Sequence, residues 1–106
     1  MSFNRIFIIG NLGRDPELTY TPQGVAVCKA SVATTEKRKD GDITTWFKVT
    51  VWRERAESFA KYFKKGDVVF IEGNLSQSEW TDRDGNAKTT LEVTATDWQF
   101  VGGKQE

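Results

Sequence analysis

A chain of 106 residues with 38% hydrophobic content holds one domain with a single modest core, and its fifteen basic and fifteen acidic residues cancel, so no bulk basic balance argues for a nucleic-acid partner. With no histidine and one cysteine, Cys28, it lacks the commonest general base and zinc ligand, any internal disulfide and any multi-cysteine metal site. No apolar run approaches the roughly 20 residues of a membrane span, and Met1-Ser2-Phe3-Asn4-Arg5 has no signal-peptide core, so a cytoplasmic protein without a membrane partner is expected.

Ile6-Phe7-Ile8-Ile9 is a short apolar run closed by Gly10-Asn11-Leu12-Gly13 and reads as the first strand. Asp15-Pro16-Glu17 turns the chain, Leu18-Thr19-Tyr20 continues the sheet, and Thr21-Pro22-Gln23-Gly24 turns it again. Val25 to Thr35, rich in β-branched and small residues, is a long strand in which Cys28 reads as a buried filler. The polar loop Glu36-Lys37-Arg38-Lys39-Asp40-Gly41-Asp42 follows, and the strand containing Thr45 to Trp52 returns from it.

From Glu54 to Lys65 the period changes to 3.6, with Ala56, Phe59, Ala60 and Phe63 on one stripe. Glu54 and Glu57 suit the start of a helix, Lys64 and Lys65 its end, and Gly66 a left-handed stop. Asp67 to Trp80 and Ala87 to Val101 are extended segments joined by an Asp84-Gly85 hairpin turn, with a bend or bulge predicted at Gly73. Trp98, among Val93, Ala95, Phe100 and Val101, reads as core or barrel closure. Strands, a helix, then two more strands predict an all-β, five-stranded Greek-key barrel whose one helix lies between strands three and four; a small α+β sandwich is the alternative.

The segment Thr45-Trp46-Phe47-Lys48-Val49-Thr50-Val51-Trp52 carries large apolar groups on both faces. Phe47, Val49 and Val51 share one face and claim the core, while Trp46, Lys48, Thr50 and Trp52 share the other. A lysine between two tryptophans does not suit a dry interior, because a buried ammonium must be paired or neutral. Exposed indoles with a cation between them suit single-stranded nucleic acid, whose bases stack and whose phosphates the cation neutralises. The same surface suits a subunit interface or a site beneath the helix, so on this strand alone both readings stand. Trp80 and the basic triplet Lys37-Arg38-Lys39 add weak signals toward the first. The carboxylate pairs Asp40/Asp42 and Asp82/Asp84 flank glycines and read as turn chemistry, leaving no catalytic, metal or cofactor constellation.

Asn4-Arg5-Ile6-Phe7-Ile8-Ile9-Gly10-Asn11-Leu12-Gly13-Arg14-Asp15-Pro16-Glu17-Leu18 closely resembles the opening motif of bacterial single-stranded DNA-binding proteins. The likeness continues through Tyr20-Thr21-Pro22-Gln23-Gly24, Val51-Trp52, Tyr62-Phe63-Lys64-Lys65-Gly66, Ile71-Glu72-Gly73 and Trp80 to Gly85. It implies an OB-fold domain over residues 1–103, assembled as a homotetramer, that binds single-stranded DNA with little sequence preference in replication, recombination and repair, nucleoid-associated and without catalysis. Trp46, Trp52 and Trp80 match the family's stacking positions, Lys48 and Arg5 its basic ones, and Tyr62 an aromatic near the DNA path. Phe47 is implied to serve core and subunit contact, and Phe70 the tetramer interface.

The chain departs from the family pattern in carrying Arg38, within Lys37-Arg38-Lys39, where some members have a loop tryptophan, which exchanges stacking for phosphate contact. Ser76, Ser78 and Glu79 stand where others are more basic. Residues 104–106 read as a short remnant, and the acidic tail through which the family recruits genome-maintenance proteins is not among the residues present. Two other classes compete. An OB-type assembly or replication-restart module would need Trp46 and Trp52 for protein contact, and a nuclease would need a metal-binding carboxylate cluster.

Overall fold

The computed structural model describes residues 2–101. It contains β1 (Ile6–Leu12), β2 (Glu17–Tyr20), β3 (Ala26–Glu36), β4 (Ile43–Trp52), α1 (Glu54–Tyr62), β5 (Val68–Thr81) and β6 (Ala87–Phe100). The sheet order is β1-β5-β6-β4-β3-β2, and a further β1–β3 pairing joins the ends into a barrel. All pairings are antiparallel except β4–β6, which is parallel because α1 leads from β4 to β5 and β6 then turns back along β5. This is the expected Greek-key barrel with its helix in the expected place, between β4 and β5. The strand count is six rather than five, because Glu17–Tyr20 forms its own short edge strand on β3, from Glu17 opposite Lys29 to Tyr20 opposite Ala26.

Period-two burial builds the core. Val32 and Val49 come from β3 and β4, Val69, Ile71 and Val93 from β5 and β6, and each is fully enclosed. Burying such a side chain contributes about 1.5–3 kcal/mol. Phe59 and Phe63 plug the open end of the barrel, 4.7 Å apart between ring centroids, and both meet the ring of Trp98 edge-on. Trp98 thus serves the closure its sequence context predicts.

Two boundaries differ from expectation. The first strand runs on through Gly10 and Asn11 to Leu12, because β1 closes on β3 there. Gly10 is required at this crossing: a Cβ on it would collide with the Ala33 carbonyl. The helix stops at Tyr62, with Phe63 extended at φ −110°. Its next amides find other acceptors, Lys64 N–H donating to Asp67 Oδ2 at 2.9 Å and Lys65 N–H to Asp15 Oδ1 at 2.8 Å. Lys64 and Lys65 therefore lie beyond the last turn, where the basic residue is Lys61, and the left-handed Gly66 (φ 90°) serves the following turn rather than the helix end. The irregularity predicted at Gly73 is present as a register shift between Glu72 and Gly73.

Candidate nucleic-acid interface

Alternation along β4 turns Phe47, Val49 and Val51 inward and leaves Trp46 and Trp52 exposed by 54% and 44% on the outer face with Lys48. The register extends that face sideways. On β3, Ala33 stands opposite Trp46, Ser31 opposite Lys48 and Lys29 opposite Thr50. On the other side β6 sets Glu92 beside Lys48 and Thr94 beside Thr50, and β5 sets Ser76 opposite Glu92. Trp80, 49% exposed, ends the face on β5 opposite Lys88. The six-residue step from Trp46 to Trp52 corresponds to about 20 Å of strand, at the usual rise per residue.

An open cleft of about 780 Å³ lies over this face, lined among others by Arg14, Lys29, Trp46, Lys48 and Thr90. Arg14, Lys29 and Lys48 are exposed and enter no ion pair among the described residues, so their charge is free for an anionic ligand. Arg14 and Lys29 were not expected here. The outward parity of Lys29 in β3 carried a signal for it; Arg14 reaches the cleft only through the β1–β3 closure.

The other expected site residues are placed differently. Lys37 pairs with Asp42 at 3.2 Å and Arg38 with Glu36 at 3.2 Å, so two members of the basic triplet are engaged within their own loop, while Lys39 forms no ion pair among the described residues. Arg5 is held by Glu72 at 3.9 Å and donates to Thr96 Oγ1 at 3.1 Å. Tyr62 packs edge-on to Phe100 at 6.2 Å, near the opposite end of β6 from the Trp80–Lys88 pair. Phe47 is a core residue, 8% exposed. Phe70 is half-buried and stacked on Phe7 at 6.2 Å, next to an apolar face on which Phe7 and Ile9 are exposed by 61% and 57%.

Elsewhere the chemistry is structural. Asp82 Oδ1 accepts the amides of Asp84 and Asn86, both at 2.9 Å, which is the turn role expected of that acidic pair. Burial pushes the Cys28 thiol up to about 11. Tyr20 Oη donates to Glu57 Oε2 at 2.7 Å, a bond that holds its proton and raises its pKa. Among the described residues no group of three or more His, Cys, Asp or Glu could hold a metal ion, and no helix is long and apolar enough to cross a membrane.

Comparison with known proteins gives this face a context. Residues 3–101 match the model of the single-strand binding protein family. The single-stranded DNA-binding protein of Neisseria meningitidis serogroup A is 39% identical over all of this chain, which spans 64% of that protein's length. Single-stranded DNA-binding protein 1 of Xylella fastidiosa is 38% identical over 99% of this chain and 82% of its own. The single-stranded DNA-binding protein of Xanthomonas axonopodis pv. citri is 36% identical over 97% of this chain and 60% of its own. With a barrel of OB topology, a match running almost end to end and relatives at this level of identity, the chain belongs to the single-strand binding protein family.

Proposed function

We propose that this chain binds single-stranded DNA with little sequence preference and without catalysis or cofactor, serving replication, recombination and repair at the nucleoid. The observation that carries the reading is the line Trp46, Lys48, Trp52, two half-exposed indoles with an unpaired cation between them on one sheet face. Bases stack on the indoles, each stack being worth about 1–3 kcal/mol, and Lys48, Lys29 and Arg14 neutralise the phosphates between. Trp80 extends the platform on β5. Stacking recognises a π-face that every base has, so sequence matters little; a duplex hides those faces and is refused.

The binding domain is residues 1–103, acting as a homotetramer. Support for assembly comes from Phe7 and Ile9, large apolar side chains exposed side by side with Phe70 at their edge, since such patches mark protein contacts. Titration of intrinsic tryptophan fluorescence with a long oligothymidine, and in parallel with a blunt duplex, tests the proposal. Strong saturable quenching by the single strand alone is expected. No quenching at low salt overturns the stacking mechanism and favours an assembly module that covers Trp46 and Trp52 with protein.

A further inference from the structure

Trp46 is exposed at the margin of a sheet, where an indole on a flexible Cα–Cβ bond has several staggered positions open to it. The structure gives it a stop. A Cβ placed on Gly13 would lie 2.6 Å from Trp46 Cζ3 and 2.7 Å from Cη2, but 3.8 Å from Cε3. These distances describe an edge contact, in which the outer bond of the six-membered ring abuts the glycine and the ring faces stay clear. Gly13 itself is fixed, its N–H donating to Ser31 O at 2.9 Å, two register pairs along β3 from the Ala33–Trp46 pair. Its backbone does not lie in the left-handed region, which among the described glycines holds only Gly24, Gly41, Gly66 and Gly85. Conformation therefore does not require glycine at this position; the space occupied by the indole does.

We infer that Gly13 is a positioning residue for DNA binding: its missing side chain is the seat that sets the Trp46 indole edge-on to the barrel with a face presented to a base. The inference rests on the reading of Trp46 as a stacking residue. A methyl group at this position would force the ring edge back by roughly 1 Å to reach ordinary carbon contact at about 3.5–4.0 Å, which tilts the platform without removing it.

A double-mutant cycle on the full chain tests the seat, using anisotropy of a labelled oligothymidine at fixed salt, with far-UV circular dichroism and Tm for each variant. Gly13→Ala is expected to weaken binding about fivefold or more, the equivalent of losing one modest stack. In a Trp46→Ala background the same change is expected to have no effect on affinity. Equal weakening in both backgrounds, or no weakening in the first, overturns the seat. If Trp46→Ala alone leaves affinity unchanged, the stacking reading of that residue fails instead, so the two failures are distinct. Should Gly13→Ala lower Tm enough to prevent measurement, Trp46→Phe supplies a shorter ring. The methyl is then expected to be tolerated, with Tm and affinity of the pair within about twofold of Trp46→Phe alone. Persistent destabilisation in that background places the clash elsewhere and overturns the proposal.

Discussion

The indole N–H of Trp80 donates to Thr90 Oγ1 at 2.9 Å across the β5–β6 ladder. The two are diagonal rather than opposite, since Trp80 faces Lys88 and Thr90 faces Ser78. The bond therefore draws the ring along the sheet toward the cleft that Thr90 lines. Thr90→Val keeps the side-chain shape and removes the acceptor. A neutral hydrogen bond contributes about 0.5–1.5 kcal/mol, so oligothymidine affinity is expected to fall about two- to tenfold with an almost unchanged Tm. Unaltered affinity would show that Trp80 needs no anchoring to function.

Salt dependence separates free cations from engaged ones. Each phosphate neutralised on a single strand contributes about 0.7 to the slope of log K against log salt. Lys48→Ala and Lys29→Ala are each expected to reduce the slope by about that amount. Lys37→Ala is expected to change it by less, because Lys37 is already paired with Asp42. Equal slopes for the Lys37 and Lys48 variants would mean that the loop opens its ion pairs on binding.

Glu92 stands beside Lys48 and opposite Ser76 on the same face, with no ion pair among the described residues. On the proposed DNA path a carboxylate here would repel the phosphates. Glu92→Gln is expected to tighten binding about two- to fivefold at low salt, an effect of the size that separated charges exert near a protein surface, fading as salt screens it. Weaker binding by this variant would assign Glu92 the opposite role, as an acceptor for base amino groups.

Cys28, with no exposed surface, has its thiol pushed by burial from 9.0 to about 11. The folded state keeps a proton that the unfolded chain releases, so this contribution is complete below pH 9 and is lost as pH rises through about 11. Tyr20, raised from 10.0 by its bond to Glu57, acts with the same sign further up the scale. Between pH 8 and 11 the Tm of the parent protein is expected to fall more steeply than that of Cys28→Ala, as read by circular dichroism melts. Parallel curves would show that the thiol does not couple to folding.

Phe7 is the most exposed residue of the apolar β1 face, and its ring stacks on Phe70. If that face joins subunits, Phe7→Asp is expected to lower the sedimenting mass from four copies toward one while β structure persists. A parent protein that already sediments as a monomer would reassign the face to another partner. Phe47→Ala is the contrasting change: Phe47 is enclosed by its own chain, so a core loss of about 3–5 kcal/mol in stability is expected whatever the assembly state.

The helix stripe and the Asp-Gly hairpin were legible in the sequence because helical and strand periods and turn chemistry are local. The helix end was not, because Phe63 leaves the helix to pack on Trp98 and Phe100, rings more than thirty positions away. The pairing of the basic triplet was not legible for a similar reason. Composition shows three adjacent cations, and only the folded loop shows that Glu36 and Asp42 hold two of them.

By itself the sequence determined the sidedness of β4. A period of two sends Trp46, Lys48 and Trp52 to one face whatever surrounds them, and the uniformly apolar alternates choose which face is the core. Tertiary structure alone decided what meets that face. Closure of β1 on β3 carries Gly13 and Arg14 to the edge of Trp46, and the parallel β4–β6 pairing brings Glu92 to Lys48. Such contacts depend on which strands pair and in what register, and pairing is fixed by the packing of the whole barrel rather than by any single segment.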